Sequence, residues 1–260
     1  MSSPKNETKD MRNDAKLDFN DEYVQSIKFT ARQAGAIYFV FMIISIIGEF
    51  LLPTFMVYGD AAATAHNINS GETIYRIGIL TGFITLIIFI FLVVLLYKLL
   101  KNINKSLAML MVLLVSIGVT VTLANLLNKF APLVILSGAD YLSVFSKAQL
   151  EALALSFLRF NSNCAIISTA FWGLWLFPFG ILVFKSGFLP RILGILLMVA
   201  GLAYLTSSVT ALVLPDYSSM VSKVMMPLYF GEVPIIFWLL IKGVKMQLLD
   251  TGIKKQDTLE

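Results

Sequence analysis

Two carboxylates lie inside very apolar stretches of this sequence, Glu49 in the first and Glu232 in the last. Glu232 is followed by Pro234, which has no amide proton and leaves the carbonyl of Phe230 without its usual helical partner. An ionisable group at bilayer depth costs about 2.5–3.5 kcal/mol on insertion scales, so it normally faces protein or water and has a partner. The sequence therefore predicts a polar site around these carboxylates.

Possible partners for the two carboxylates lie on other apolar stretches: Arg76, Asn125 and Arg159. At a rise of about 1.5 Å per residue, Glu49 and Glu232 each lie about 12 Å from the predicted outer end of their helix. We expect a cluster of Glu49, Arg76 and Glu232, with Asn125 as a hydrogen-bonding neighbour. The charges of two carboxylates and one guanidinium balance only if one carboxylate is protonated or if Arg159 joins the cluster.

The predicted cluster has more than one interpretation. It can be a structural network that fixes the register of the helices, or a pocket in the outer half of the bundle that binds or transports a small ligand. A membrane-embedded enzyme acting on lipid-like substrates is a further alternative, since paired carboxylates can do acid/base chemistry. The sequence favours a non-enzymatic protein, because no nucleophile pattern or phosphate cradle is present. The catalytic residues and the ligand stay unassigned.

Cofactor and metal chemistry has little support in the sequence. The chain has one cysteine, Cys164, and one histidine, His66. A single cysteine excludes an intramolecular disulfide, and the two residues do not form a metal-ligand pattern. We expect no cofactor and no metal site.

The composition is that of a membrane protein. Hydrophobic residues make up 58% of the 260 residues and charged residues 14%, whereas soluble domains have about 45–50% and about 25%. The net charge of +4 bears on orientation in the bilayer and does not indicate nucleic acid binding. The expected partner is therefore the lipid bilayer, and the oligomeric state is left open.

Six apolar runs meet the requirement of roughly 20 residues for a helix that crosses about 30 Å of hydrocarbon. We therefore predict an all-α, polytopic membrane protein built as a bundle of six transmembrane helices. The predicted spans are Ala34–Val57, Ile74–Leu96, Leu107–Leu127, Cys164–Phe184, Ile192–Val213 and Val224–Ile241.

The spans divide the chain into three parts. Residues 1–30 are too polar to fold alone and are predicted to be a disordered tail. Residues 31–246 form the transmembrane domain, and residues 247–260 form a C-terminal tail. Fifteen Lys and Arg residues fall on the side of the termini and five on the other. The positive-inside rule therefore predicts a multi-pass protein of the cell membrane with both tails in the cytoplasm.

Two local patterns predict details of the bundle. Ser146 and Gln149 form a capping box, and apolar residues recur at helical spacing up to Phe160, so a helix is expected in the exterior connection. It would pack on the bundle as a lid, after Pro132 has ended the third helix. In the fifth span Gly194 and Gly201, seven residues apart, predict a seam of close helix contact.

The last third of the chain carries a family resemblance. The segment SGFLPRILGILLMVAGLAYL (Ser186–Leu205), followed by GEVPIIFWLLIKGVK (Gly231–Lys245), resembles a prokaryotic family known as domain of unknown function 4386. The hydrophobic spacing from Arg32 to Lys245 is similar to that of the family. Its members often place an Arg and a Glu in the third span, whereas Leu107–Leu127 carries no charge here. The resemblance implies a six-helix bacterial membrane protein and no particular activity.

Overall fold

The computed structural model of the chain describes residues 4–51 and 55–244, and the side chains of residues 25–48 and 55–244. Over these ranges the chain is helical and contains no strand. The α-helices are α1 (Pro4–Leu51), α2 (Ala61–Ser70), α3 (Glu72–Leu100), α4 (Lys105–Ile135), α5 (Lys147–Leu174), α6 (Leu176–Lys185), α7 (Arg191–Val213), α8 (Ser218–Tyr229) and α9 (Val233–Phe237).

Among the described residues, six helical segments are long and apolar enough to cross a membrane, which confirms the predicted all-α fold of six spans. The first span is Gln25–Gly48 of α1, the second span is α3, and the third span is α4. The fourth combines α5 and α6, the fifth is α7, and the sixth runs from Pro215 to Lys242. The protein is therefore a multi-pass membrane protein.

The six spans form a closed ring in which neighbours in sequence are neighbours in space. Helix α1 packs on α3, α3 on α4, α4 on α5 and α6, and these two on α7. The sixth span then packs on α7 at its beginning and on α1 at its end, which closes the ring. Each span can therefore bury one apolar face toward a common centre.

The half of the bundle that contains the end of α3 and the start of α4 is filled with apolar side chains. Leu96 and Leu100 of α3, Met111 of α4 and Leu182 of α6 are fully buried, as is Leu239 of the sixth span. A second, smaller cluster lies at the opposite end, where Phe55, Ile68 of α2, Tyr75 and Leu158 pack together. Helix α2, which the sequence analysis did not predict, thus covers the predicted outer end of the bundle.

Two reciprocal glycine contacts join the fourth and fifth spans. A Cβ atom built on Gly180 would lie 2.7 Å from the carbonyl oxygen of Gly194, and one built on Gly194 would lie 2.5 Å from the carbonyl oxygen of Gly180. Gly173 and Gly201 meet in the same way, with 2.8 Å in both directions. The predicted seam at Gly194 and Gly201 is confirmed, because only glycine lets these backbones approach so closely.

The exterior connection differs in part from its prediction. The capping box is confirmed, since the Ser146 hydroxyl accepts from the Gln149 N–H and the Gln149 amide oxygen accepts from the Ser146 N–H. The helix that begins there, α5, continues without a break into the fourth span. The prediction that Pro132 ends the third helix is wrong. Helix α4 continues to Ile135, because the N–H of Leu136 still bonds the carbonyl of Pro132.

The structure describes only part of the two tails that the sequence predicts. Helix α1 runs through residue 30 without interruption, where the disordered tail was predicted to end, and its Ala31 and Ala34 are buried in the bundle. The side chains of residues 4–24 and the whole of the segment 247–260 lie outside the described part of the chain. The division into two tails and a transmembrane domain stays a prediction.

We predict that Gly180→Ala destabilises the bundle by about 1–3 kcal/mol, the usual cost of overpacking, because the new methyl group would meet a backbone oxygen. The matched control is Gly82→Ala in α3, where the nearest atom to the new methyl group is a Leu126 side-chain carbon at 3.4 Å. Thermal unfolding in detergent measures both variants. Equal stability of the two would contradict the close packing of α6 on α7.

Candidate functional site

The sixth span changes its helix type at Glu232. Helix α8 ends at Tyr229, a 3₁₀ turn covers Phe230–Glu232, α9 follows over Val233–Phe237, and a π-helical turn covers Trp238–Lys242. Pro234 explains the first change, because it cannot donate to the Phe230 carbonyl, which instead accepts from the N–H of Val233. The predicted loosening of the helix beside Glu232 is confirmed.

Close packing fixes where Glu232 points. A Cβ atom on the preceding Gly231 would lie 2.6 Å from the carbonyl oxygen of Leu196 in α7. At the end of the span, a Cβ atom on Gly35 of α1 would lie within 2.7 Å of the backbone of Leu239 and Leu240. The span is therefore held against α7 and α1 on either side of the carboxylate. Glu232 is ten residues before the last residue of the span, Lys242, about 15 Å at the helical rise.

The partners that the structure gives Glu232 are tyrosines. The Tyr38 hydroxyl of α1 donates to Oε2 of Glu232 at 2.5 Å, and Tyr38 is fully buried. Tyr204 of α7 also lies beside the Glu232 side chain and lines the same cavity. A charged acceptor makes a hydrogen bond such as that of Tyr38 stronger than one between neutral groups. Three neighbouring spans of the ring thus meet at one carboxylate.

Two further residues hold Tyr204 in place. The Tyr204 ring stacks on the Tyr229 ring with centroids 4.5 Å apart and planes 12° apart. The Tyr229 hydroxyl lies 2.5 Å from the Ser207 hydroxyl, and either oxygen can be the donor. Because Ser207 is buried in α7 and lies one turn after Tyr204, this contact fixes both rings against the same helix.

Glu232 lines a cavity of about 350 Å³ inside the ring, which we name the Glu232 cavity. Tyr38, Trp175 and Ile236 form its buried base, whereas Ile46, 47% exposed, lies at its open edge. The first, second, fourth, fifth and sixth spans all contribute to its lining. The lining residues are Tyr38, Phe41, Met42, Ser45, Ile46, Phe89, Thr169, Trp172, Trp175, Tyr204, Tyr229, Glu232, Val233 and Ile236.

The aromatic rings of the lining are fixed by one another. Phe89 of α3 packs edge-on against Trp172 and Trp175, with centroids 5.0 and 5.3 Å away, and lies 4.7 Å from Phe41. Such edge-to-face pairs are favoured by the charge distribution of aromatic rings. The walls of the cavity are therefore rigid and preformed.

Two hydroxyl side chains add polar groups to the lining. The Thr169 hydroxyl donates to the Ala165 carbonyl within its own helix. The Ser45 hydroxyl is buried, and none of the described residues provides it with a hydrogen-bond partner. A buried hydroxyl without a partner is costly, so Ser45 is a group that a bound molecule could satisfy.

The structure does not bring Arg76 or Asn125 to Glu232. Arg76 pairs with Glu72 one turn earlier in α3, at 2.7 Å, and both side chains are about half exposed. Arg76 lines a different cavity, between α3 and α4. Arg76 lies thirteen residues before Phe89 on α3, about 20 Å along the helix axis, so its guanidinium is remote from Glu232. The prediction that Arg76 is a cationic partner of Glu232 is therefore wrong.

The remaining predicted residues lie elsewhere. Asn125 is buried and donates to the Asn161 carbonyl, while Asn161 donates back to the Asn125 carbonyl, so the pair links α4 to α5. Arg159 is exposed on α5. Glu49 belongs to α1, but its side chain lies outside the described part of the structure. Any functional role of these residues stays a prediction.

The sequence analysis missed Tyr38, Tyr204 and Tyr229. A signal was available for Tyr204, which lies in the middle of its predicted span, whereas membrane tyrosines usually lie at the interface. Tyr38 lies only four residues after the predicted start of the first span, and the structure's span Gln25–Gly48 places it in the middle. Trp175 is fully buried and Trp172 packs on the core. Tyr75 at the start of α3 is also buried, and it donates to the Lys129 carbonyl at 2.8 Å.

Comparison with known proteins decides the family. The model of the family described as Domain of unknown function (DUF4386) matches residues 33–243. The chain belongs to this family. The DUF4386 region includes every residue that lines the Glu232 cavity, so the cavity lies within the part that the family model describes.

One further comparison matches part of the chain. An uncharacterised protein of the archaeon Archaeoglobus fulgidus is 40% identical over 76 residues, which are 29% of this chain and 44% of that protein. The chain thus spans less than half the length of that relative. No solved structure gives a significant match. The function has to be argued from the geometry of this DUF4386 protein itself.

The geometry predicts which substitutions depend on one another. Tyr38→Phe and Glu232→Gln should be coupled by about 0.5–3 kcal/mol, since the first removes the donor of a hydrogen bond and the second replaces its charged acceptor with a neutral amide oxygen. Arg76→Ala and Glu232→Gln should instead add within about 0.3–0.5 kcal/mol, because the two side chains share no contact. Double-mutant cycles on the free energy of unfolding in mixed micelles measure both pairs. Strong coupling between Arg76 and Glu232 would indicate an ion pair between the two side chains and would contradict the structure.

Proposed function

We propose that this protein binds a small molecule in the Glu232 cavity, within the membrane. The observation that carries the proposal is a carboxylate inside an apolar bundle whose described partners are neutral hydroxyls and which lines an unfilled space. Intramembrane carboxylates are costly and usually mark a functional site. Small-molecule sites are typically preformed, mostly apolar cavities of about 300–1,000 Å³ with a few polar groups, and the Glu232 cavity has these properties.

A purely structural role for Glu232 accounts for less of the geometry. A structural network fills its space and satisfies its polar groups. Here the Ser45 hydroxyl has no partner among the described residues, and it lines the same cavity as Glu232. These features favour a binding site over a register-fixing network.

Transport of the ligand is a possible extension of the same proposal. Ile46, at the open edge of the cavity, lies near the predicted outer end of α1. The opposite half of the bundle is closed by buried residues such as Leu96, Leu182 and Leu239. Transport would therefore need a second conformation, in which these side chains separate.

Enzymatic action on lipid-like substrates has weaker support. The lining contains Ser45, Thr169 and three tyrosine hydroxyls, but none of the described lining residues is a histidine or a lysine. A hydroxyl nucleophile is usually activated by an imidazole or amine base of this kind. The cavity is therefore better suited to binding than to covalent catalysis.

Water access to the cavity tests the proposal. In a Cys164→Ser background, we expect Thr169→Cys to react with 2-hydroxyethyl methanethiosulfonate at least tenfold faster than Ile167→Cys. Thr169 lines the cavity, whereas Ile167, two residues away, is 46% exposed on the outer surface of the bundle. A thiol facing lipid tails does not ionise and stays unreactive. Intact-protein mass spectrometry measures the rate of modification in lipid nanodiscs.

The reverse result has a clear meaning. If Thr169→Cys is as slow as Ile167→Cys while both variants remain folded, water does not reach the cavity. A dry cavity would favour the structural role of Glu232 and would contradict the proposed binding site.

We further propose that the protein lies in the cell membrane with both termini in the cytoplasm. The support is the distribution of Lys and Arg, fifteen on the side of the termini and five on the other. Under this orientation α2 and the capped start of α5 lie outside the cell. The open edge of the Glu232 cavity then faces the exterior half of the membrane.

Cysteine labelling on intact cells measures this orientation. In the Cys164→Ser background, a membrane-impermeant maleimide should modify Ser70→Cys but not Ser106→Cys. Both serines are exposed, at the end of α2 and the start of α4 respectively. Permeabilised cells provide the control, because both positions should then react. Labelling of Ser106→Cys alone on intact cells would reverse the orientation.

A further inference from the structure

The charges on the lining of the Glu232 cavity indicate which kind of ligand would complete the site. Among the described lining residues, Glu232 is the only carboxylate, and none is lysine, arginine or histidine. Tyr38 donates a hydrogen bond to the carboxylate and Tyr204 lies beside it, but hydroxyl groups carry no net charge. An ionised group in an apolar environment needs a counter-charge. A positive charge, either a proton or a cationic ligand, therefore completes the site.

The walls around Glu232 suit an organic cation. The faces of aromatic rings attract cations, and cages of such rings recognise quaternary ammonium groups. Trp172 and Tyr204 line the cavity on different spans, and Tyr229 stacks against Tyr204. The ring positions are fixed by their mutual contacts. The entropy cost of ordering these side chains when a ligand binds is therefore small.

Other ligand classes fit the lining less well. An anion would face the carboxylate without a basic residue on the lining to offset it. A hydrated metal ion such as Ca²⁺ takes six to eight oxygen ligands, whereas most of the lining residues here are aromatic or aliphatic. The volume of about 350 Å³ is near the lower end of the range for small-molecule sites, which limits the ligand to a small one.

We propose that the Glu232 cavity binds a small organic cation, such as a substituted ammonium ion. The positive group contacts the Glu232 carboxylate and the ring faces of Trp172 and Tyr204, and its apolar substituents pack against Phe89 and Ile236. A ligand hydroxyl or N–H near α1 would also satisfy Ser45. This inference rests on the proposed binding function and specifies its ligand class.

A matched pair of probes separates charge from shape. Benzyltrimethylammonium and neopentylbenzene have the same heavy-atom framework, with a positive nitrogen in the first where the second has a carbon. Equilibrium dialysis of each radiolabelled probe against the full chain in nanodiscs, with empty nanodiscs subtracted, measures the two affinities. We expect the wild type to bind the cation at least tenfold more tightly than the neutral hydrocarbon.

Four variants assign that preference to the cavity. Glu232→Gln should reduce cation affinity at least tenfold and leave binding of the neutral hydrocarbon unchanged. Glu72→Gln, which removes an exposed carboxylate paired with Arg76, should leave both affinities unchanged. Trp172→Leu should weaken cation binding more than Trp172→Phe, because phenylalanine keeps an aromatic face.

The outcomes distinguish the ligand class from the binding function. Equal binding of the two probes, both lost when Thr169→Trp fills the cavity, would overturn the cationic ligand and leave the binding site standing. Binding of the cation that Glu232→Gln does not weaken would likewise overturn the assignment to Glu232. Absence of both probes from the cavity, together with an unreactive Thr169→Cys, would overturn the ligand class and the proposed function together.

Discussion

A carboxylate inside the apolar bundle, Glu232, imposes the main constraint on the part of the structure that is described. Glu232 lies near the middle of its span, where an unsatisfied charge would be expensive. The protein meets this cost with a hydrogen bond from Tyr38 of α1, and Tyr204 of α7 lies beside the same carboxylate. These are the two helices on which the sixth span packs. The carboxylate thus joins the first and last spans, and its contacts help to close the ring.

Backbone features of the sixth span make this arrangement possible. Gly231 brings the span against α7, and Gly35 lets α1 approach the other end of the same span. Between these contacts Pro234 prevents a regular α-helix, and the local 3₁₀ turn sets the direction of the carboxylate. Small residues and proline therefore have a positional role here, beyond their known frequency in membrane helices. The two features that define the site, close packing and a broken helix, occur within four residues.

The cavity beside Glu232 exists because its walls cannot collapse. Phe89, Trp172 and Trp175 hold one another edge-on, and Tyr229 is held by Tyr204 and Ser207. Rigid rings that are already in contact with neighbours do not move to fill an adjacent space. The result is a preformed space with aromatic faces, an open edge and, among the described residues, one acidic group. This combination of charge and shape underlies both the binding function and the cationic ligand that we propose.

The sequence alone determined the six spans, the seam at Gly194 and Gly201, and the carboxylate Glu232 beside the helix break at Pro234. Each follows from local chemistry: apolar length, the absence of a side chain, a buried charge and a missing amide proton. Only the tertiary structure decided the partners of Glu232. Spacing along a helix gives depth in the membrane, but contact also requires that two helices are neighbours and that both residues face the same space. Arg76 lies at a different depth on α3 and pairs with Glu72, whereas Tyr38 and Tyr204 meet both requirements because the ring closes between α1, the sixth span and α7.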